Sequence, residues 1–385
     1  MRDDLLAIIR SGCTSSFFPG TGSPPLQEGL RENLFNHLAL KIYLYQFNGN
    51  LPYQHFCLSQ KKTPETVHRW EEIPPLPVTA FKRVDLACRP INEAVQIFHS
   101  SGTTRPLPWG NKKESQERRP SRHYLFDHEI ARAAILSHFQ RHVSLQEKMR
   151  LYMLTPSPEE TPHSSLSYMM EMIRLEYGRK ESDYYIHQGR LLGEKLCYDL
   201  SEATEPVLLL GTSFSFVHFI DFHQANGFPI RLPQGSQLMD TGGFKGKSRA
   251  VSRHWLYAMI ENRLGIPPEC CINEYGMSEM TSQFYNRNEA NTAYCAPPQT
   301  RWQILSPETL KPVNNGEIGL LAFYDLANID SVLAVLTEDL GREVDGGFEL
   351  IGRAQDADQK GCSLALDCLL DTLGDAGIEP AASSV

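Results

Sequence analysis

The sequence predicts an α/β protein in which helices flank parallel strands. Short apolar runs of strand length, at 151–154 and 206–211, alternate with longer runs at helical spacing, at 165–177 and 214–225. A chain of 385 residues is long for one hydrophobic core, so more than one compact unit is expected. The hydrophobic content of 41% and the aromatic content of 10% are typical of a folded globular chain.

The segments on either side of this alternating region set the predicted domain boundaries. Apolar residues recur at helical spacing over 26–47, and prolines at 74, 75 and 77 predict an irregular connector after them. Two later apolar runs, at 318–324 and 348–351, predict short strands of another sheet. The predicted divisions are a helical N-terminal region at 1–72, an α/β body at 73–300, a small β-rich subdomain at 301–353 and a truncated carboxy-terminal tail at 354–385.

Charge and apolar content exclude some classes of partner. A formal net charge of −9 argues against nucleic acid as a main ligand, because phosphate backbones are bound by clustered Lys and Arg. Asp3 and Asp4 make the N-terminus a poor signal peptide, and polar residues interrupt the apolar stretch at 207–222, so no membrane span is expected. The nine scattered cysteines are expected to be mostly reduced thiols. Together these features predict a cytoplasmic protein.

A hydroxyl-rich turn comes after the apolar run at 95–98. It consists of Ser100, Ser101, Gly102, Thr103 and Thr104. Backbone N–H groups in such a turn can converge on a phosphate oxygen, and the hydroxyls add donors without bulk. Ordinary surface turns have the same composition, so this turn alone fits either a phosphate-binding loop or an ordinary surface turn.

A basic stretch at 105–122 adjoins this turn. It is rich in Pro, Gly and Asn and carries Lys112, Lys113, Arg118 and Arg119. The composition predicts a flexible insertion. Its cations either close over a polyphosphate or form a solvated surface loop.

Three later clusters offer parts of a nucleotide site. In the first, Tyr275 can stack on a base, Ser278 can donate to a phosphate and Glu279 can bind Mg²⁺, although a core aromatic and a solvent-facing carboxylate fit equally well. In the second, Asp339 comes at the end of an apolar run and can accept hydrogen bonds from ribose hydroxyls. In the third, Arg353 comes after a short strand and offers a permanent cation. Each cluster alone is also typical of a turn.

The order of these motifs along the chain resembles the adenylate-forming superfamily of acyl and aryl ligases. Within it, the sequence is most similar to the acyl-protein synthetase (LuxE) family, the long-chain-fatty-acid luciferin-component ligases, over residues 73–366. The resemblance rests on SSGTT from Ser100, GTSFSFVHFID from Gly211, MDTGGFKGKSR from Met239, NEYGMSEMTSQFY from Asn273, YDLAN from Tyr324, LTEDLG from Leu336, GR from Gly352 and GCSL from Gly361.

The resemblance implies the large domain of an adenylate-forming enzyme that binds ATP and Mg²⁺. Glu279 would bind the metal, Arg353 would lie at the edge of the nucleotide, and Cys362 would accept the acyl group. The residues that would contact ATP are Ser100, Ser101, Gly102, Thr103, Thr104, Gly242, Gly243, Tyr275, Gly276, Ser278 and Asp339.

The implied reaction has two steps. A carboxylic acid, such as a fatty acid, would attack ATP to give acyl-AMP, and the acyl group would pass to Cys362 and onward to a reductase or a carrier protein. One alternative is direct transfer to coenzyme A or a carrier thiol. Another is a relative that binds nucleotide or acyl groups without catalysis, because Arg105 stands where the family has Gly and a basic insertion comes next. The 32 residues after Arg353 are too few for the separate small domain of larger relatives.

Overall fold

The computed structural model describes residues 1–11, 25–100, 120–143, 147–242, 251–286 and 292–354. These residues belong to two compact units. Unit 1 draws on Met1–Ala134, Met277–Ser282 and Ala296–Val385, and unit 2 on Ile135–Gly276 and Gln283–Cys295. The domain boundaries that the sequence predicts at 72, 300 and 353 stay predictions.

The helices of the described residues are numbered along the chain. They are α1 (Arg2–Ser11), α2 (Pro25–Gly49), α3 (Leu51–Ser59), α4 (His128–His142), α5 (Ser165–Tyr177), α6 (Gly193–Ser201), α7 (Ser213–Asn226) and α8 (Arg253–Leu264). Short 3₁₀ helices occupy Trp70–Glu72, Val78–Lys82, Ile91–Glu93 and Pro268–Cys270. In this part of the chain, no helix is both long enough and apolar enough to cross a membrane.

The strands of the described residues are numbered in the same way. They are β1 (Leu76–Pro77), β2 (Gln96–His99), β3 (Arg122–Leu125), β4 (Arg150–Leu154), β5 (Asp183–Tyr184), β6 (Ile186–His187), β7 (Arg190–Leu191), β8 (Val207–Thr212), β9 (Gln237–Thr241), β10 (Cys271–Tyr275), β11 (Phe284–Asn286), β12 (Ala293–Tyr294), β13 (Thr300–Leu305), β14 (Gly319–Asp325), β15 (Ala334–Val344) and β16 (Gly347–Arg353).

Unit 2 is built on a sheet in the order β11-β10-β9-β8-β4-β5. Strands β10, β9, β8, β4 and β5 are parallel, and β11 runs antiparallel to β10. Leu209 of β8 packs in a core with α6, α7 and α8, whereas Leu208 and Leu210 pack in a second core with α4 and α5. A strand that is buried on both faces needs apolar residues at every position, which explains the run at 207–210. The predicted helix-flanked parallel sheet is therefore confirmed.

The start of α7 is fixed at the carboxyl end of β8. Thr212, the last residue of β8, caps the helix because its hydroxyl accepts a hydrogen bond from the backbone N–H of Ser215 at 3.0 Å. Gly227 ends the helix with a φ of 67°, a left-handed conformation that favours glycine. The motif from Gly211 thus forms a strand-to-helix turn at one edge of the sheet.

The sheet of unit 1 contains the antiparallel order β13-β14-β15-β16, and β1 pairs in parallel with the start of β15. Buried residues of α1, α2 and α3 share one core with β14 and β15. The buried Gln46 of α2 holds the loop after β14. Its side-chain amide donates to the carbonyls of Asn328 at 2.7 Å and Ile329 at 2.9 Å and accepts from the N–H of Leu333 at 3.0 Å.

Candidate active site

Two neighbouring strands of unit 2, β9 and β10, end side by side, and three predicted nucleotide-contacting residues lie at their carboxyl ends. Gly242 comes directly after β9, Tyr275 ends β10, and Gly276 is next in the chain. Ligands of parallel α/β sheets bind outside this edge of the sheet. Gly242 has a φ of 74°, so the turn after β9 uses a conformation that favours glycine. Gly243 lies outside the described residues.

Tyr275 is held by aromatic neighbours. Its ring centroid lies 6.1 Å from that of Phe284 and 5.9 Å from that of Tyr294, and the ring is largely buried. Tyr294 in turn accepts a hydrogen bond from Arg253 at 2.7 Å. These contacts fix the plane of Tyr275 at the edge of the sheet, whereas its stacking on a base stays a prediction.

A buried polar network lies beneath the same edge. The carboxylate of Asp240 accepts hydrogen bonds from Ser213 at 2.5 Å, Tyr257 at 2.7 Å and Asn273 at 3.0 Å. Arg253 donates to Asn273 at 3.0 Å and so links the network to Tyr294. The sequence motifs predicted no role for these residues, although Asp240 and Asn273 stand in two of the motifs that carry the resemblance.

Glu274 is a buried carboxyl group next to Tyr275. The hydroxyl of Thr241 donates to its Oε2. Burial raises the pKa of Glu274 to about 7, and the neighbouring charge of Asp240 acts in the same direction. A Cβ at Gly276 would lie 2.5 Å from Glu274 Oε1, so a larger residue there would displace this carboxyl.

In unit 1, Ser100 closes the β2–β3 hairpin. Its N–H donates to the carbonyl of Ser121 at 3.3 Å, and its hydroxyl accepts from the N–H of Ser121 at 3.0 Å. The remaining members of the predicted phosphate turn, at 101–104, and most of the basic stretch, at 105–119, lie outside the described residues. Arg122 belongs to β3 and forms an ion pair with Asp85 at 3.0 Å.

The hairpin contacts the turn that carries the predicted metal ligand, here called the Glu279 turn (residues 278–282). The Ser121 hydroxyl donates to Glu279 Oε1. His123 donates from Nδ1 to the carbonyl of Ser278 at 2.7 Å, and the Ser278 hydroxyl donates to the carbonyl of His99 at 3.4 Å. Burial lowers the pKa of His123 to about 4, so its ring is neutral at pH 7 with the hydrogen on Nδ1.

The end of β14 holds the other side of the Glu279 turn. The fully buried carboxylate of Asp325 accepts from the N–H groups of Thr281 at 3.1 Å and Ser282 at 2.8 Å, and also from the Ser282 hydroxyl at 2.8 Å. Asn328 donates to the carbonyl of Glu279 at 3.0 Å and accepts from the hydroxyl of Thr281 at 2.7 Å. Burial raises the pKa of Asp325, and the hydrogen bonds that its carboxylate accepts from Thr281 and Ser282 oppose the rise. The YDLAN motif therefore shapes this turn.

Asp339 and Arg353 meet across β15 and β16. The distance from Arg353 Nε to Asp339 Oδ1 is 3.8 Å, and that from Arg353 Nη2 to Glu338 Oε2 is 3.2 Å. The sequence-based placement of Asp339 at the end of a strand is wrong, because β15 continues to Val344. Asp339 lies in a β-bulge, where residues 337–339 oppose Leu321 alone.

The hydroxyl of Thr337 holds this bulge. It donates to the carbonyl of Leu321 at 2.8 Å and accepts from the N–H of Asp339 at 3.0 Å. These two hydrogen bonds replace ladder contacts that the bulge interrupts, so the strand continues through it. The bulge directs Asp339 beside Arg353, whose side chain is 56% exposed.

Comparison with known proteins gives relatives along most of the chain. A family model described as acyl-protein synthetase, LuxE, matches residues 23–370. A long-chain-fatty-acid–luciferin-component ligase of Aliivibrio fischeri is 22% identical over 359 residues, with 87% of this chain and 88% of that relative covered. A ligase of the same description from Vibrio harveyi is 22% identical over 374 residues, with 94% of each chain covered.

Among solved structures, 2-hydroxyisobutyryl-CoA ligase is similar in fold. In an open conformation with 2-HIB-AMP and CoA, it matches with a TM-score of 0.66 at 12% identity, covering 88% of this chain and 76% of that one. In its postadenylation state the TM-score is 0.63 at 13% identity, over 88% and 72% of the two chains. At this level of identity the likeness concerns the fold.

The first prediction concerns the carboxylate that shapes the Glu279 turn. We expect Asp325→Asn to lower the free energy of unfolding by about 3 kcal/mol, because buried N–H donors lose a carboxylate oxygen. Urea denaturation measures the change, and Asp345→Asn at an exposed turn serves as the control, with a change within about 0.5 kcal/mol. Equal stability of the two variants would contradict the assigned role.

The second prediction rests on the pKa of Glu274. The ordinary pKa of a glutamate is 4.5 and burial raises that of Glu274 to about 7, so the folded chain keeps a proton that the unfolded chain releases. The contribution of protonated Glu274 to the stability of the fold is fully present below about pH 4.5 and is lost as the pH rises through 7. Glu274→Gln keeps the neutral form at every pH.

We therefore expect the stability of Glu274→Gln relative to the unsubstituted chain to increase by about 2 kcal/mol as the pH rises from 5 to 8. Urea denaturation at several pH values measures this difference. The exposed Glu269→Gln is the control and should behave like the unsubstituted chain throughout. A pH-independent difference for Glu274→Gln would show that the carboxyl does not titrate in this range.

Proposed function

Because the chain belongs to the acyl-protein synthetase (LuxE) family, we propose that it carries an acyl group from an acyl-adenylate to the thiol of Cys362. The family, the α/β fold and the ligase class expected from the sequence are confirmed. The activity that goes with them is ATP-dependent activation of a carboxylic acid to acyl-AMP. The match to the family over residues 23–370 is the observation that carries the proposal.

In the first step, an oxygen of the substrate carboxylate attacks the α-phosphorus of ATP. The bond from that phosphorus to the bridging oxygen breaks, and pyrophosphate leaves. This chemistry needs mainly positioning and charge neutralisation from the protein. The proposed nucleotide contacts are those expected from the sequence, and for Gly242, Tyr275 and Gly276 their shared sheet edge supports the proposal.

Glu279 is the proposed ligand for Mg²⁺. Magnesium is commonly bound through one or two carboxylates together with substrate phosphates, and a buried, oriented carboxylate fits that donor set. Glu279 is only 5% exposed, and its orientation is fixed by Ser121 and by the backbone contact with Asn328. When bound, the metal neutralises phosphate charge during the attack. Asp339 is proposed to hold the ribose and Arg353 to lie at the edge of the nucleotide.

In the second step, the thiolate of Cys362 attacks the acyl carbon of the adenylate. The bond from that carbon to the phosphate oxygen breaks, AMP leaves, and a thioester remains. Buried cysteines elsewhere are poor nucleophiles, because burial raises the pKa of Cys57 to about 12 and that of Cys197 to about 11. Cys362 itself lies outside the described residues, and its role is proposed from the family.

The acid is proposed to be a long-chain fatty acid, and the final acceptor a protein such as a reductase or a carrier. Both relatives are described as long-chain-fatty-acid ligases, and they cover most of this chain. Direct transfer to coenzyme A is the competing function. It differs in one respect that can be measured, because it needs no covalent acyl-protein.

The third prediction tests the thiol. With a radiolabelled acid, ATP and Mg²⁺, the unsubstituted chain should become labelled, and hydroxylamine should release the label. Cys362→Ala should lose the label while its acid-dependent exchange of pyrophosphate into ATP persists. Cys368→Ala is the matched control in the same tail and should remain labelled. Full turnover to a thioester of coenzyme A by Cys362→Ala would favour the competing function.

The fourth prediction concerns chain length. In pyrophosphate exchange with straight-chain acids from acetate to stearate, we expect kcat/KM to rise about fourfold for each added methylene that the pocket buries, since each contributes about 0.8 kcal/mol. Benzoate should remain a poor substrate. A maximum at acetate or at benzoate would contradict the proposed substrate class without affecting the proposed thiol.

A further inference from the structure

The carboxylate of Glu279 is oriented by a hydroxyl from another part of the chain. Ser121 immediately precedes β3, is fully buried, and donates from Oγ to Glu279 Oε1. We infer that Ser121 is a positioning residue for the metal-binding carboxylate, an inference that rests on the proposed role of Glu279. No role for Ser121 emerges from the sequence motifs alone.

The Ser121 hydroxyl is itself held rigidly. Both backbone polar groups of Ser121 bond to Ser100, at 3.0 Å through the Ser100 hydroxyl and at 3.3 Å through the Ser100 N–H. Ser100 and Ser121 thus form the last hydrogen-bonded pair of the β2–β3 hairpin. Residues 101–120 connect the two. A donor fixed at this pair directs Glu279 without a large loss of its own freedom on metal binding.

A second contact ties the same turn to the hairpin. Two residues beyond Ser121, His123 donates to the carbonyl of Ser278 at 2.7 Å, and its ring lies edge-on to Phe81 and Phe98. Ser121 therefore fixes the side chain of Glu279, while His123 fixes the peptide that precedes it. As a result, the base of the predicted phosphate turn and the metal ligand hold a common orientation.

Such an arrangement predicts a specific defect when the hydroxyl is removed. A metal ligand that loses its outer hydrogen-bond partner typically loses 10- to 100-fold in metal affinity, because the carboxylate must be ordered on binding. The nucleotide contacts themselves are unchanged. S121A should therefore weaken the metal-dependent part of nucleotide binding and leave metal-free binding as it was.

The experiment uses the full chain with Mn²⁺ and α,β-methylene-ATP, which cannot react. Electron paramagnetic resonance measures the Kd of Mn²⁺ in the presence of the nucleotide, and calorimetry measures nucleotide binding without metal. We expect S121A to raise the Kd for Mn²⁺ about 10-fold with metal-free nucleotide binding unchanged. S121T keeps the hydroxyl and should stay within about twofold of the unsubstituted chain. S331A removes another buried hydroxyl in unit 1 and should change neither value.

E279Q separates failure of this inference from failure of the proposed function. If E279Q raises the Kd for Mn²⁺ and S121A leaves it unchanged, the positioning role is wrong and the metal site stands. If E279Q also leaves it unchanged, the proposed metal ligand is wrong. Should S121A fail to fold, a folded S121T with a weakened Mn²⁺ affinity would equally overturn the inference, and unchanged affinity would support it.

Discussion

The candidate site of unit 1 depends on the hydrogen bonds that the carboxylate of Asp325 accepts from the Glu279 turn. This carboxylate is fully buried and accepts hydrogen bonds from Thr281, Ser282 and the N–H of Ala327 at 3.0 Å. A carboxylate without water is strongly disfavoured unless such donors replace the lost hydration. The same hydrogen bonds give partners to the backbone N–H groups of Thr281 and Ser282, which lie in a tight turn outside any helix or strand. The buried carboxylate of Asp325 and the irregular turn thus stabilise each other, and Glu279 belongs to this turn.

Two segments distant in sequence contact this turn, and a third supports one of them. Strand β14 and the loop after it support the turn from one side through Asp325 and Asn328. The β2–β3 hairpin supports it from the other through Ser121 and His123. Gln46 of α2 secures the loop that carries Asn328. These contacts hold the carboxylate of Glu279 in one orientation.

The sequence was most informative where periodicity decides the structure. Helices at 165–177 and 214–225 and the parallel strands between them are predictable from apolar spacing, and carboxyl-end residues such as Gly242, Tyr275 and Gly276 then share an edge as a matter of topology. The bulge at Asp339 could not be found this way, because its register depends on pairing with two other strands. An apolar run that ends in carboxylates looks like a strand end.

Buried polar partners were also beyond sequence reasoning. Asp325 and Asn328 stand in the YDLAN motif and Ser121 lies far from it in sequence, but nothing in their local spacing says that all three support the Glu279 turn. Asp240 and Asn273 are similar, since both end up in a buried network beneath the edge of the sheet. Such groups are recognised only when the tertiary structure shows their burial and their donors.

The formation of an acyl-adenylate is tested most directly by tracing oxygen. A substrate acid labelled with ¹⁸O in its carboxylate is incubated with ATP, Mg²⁺ and the full chain, and the released AMP is analysed by mass spectrometry. Attack of the carboxylate on the α-phosphorus transfers one labelled oxygen to AMP when the acyl group leaves. We therefore expect AMP with one ¹⁸O per turnover. Unlabelled AMP, or label in inorganic phosphate with ADP as the product, would contradict adenylation.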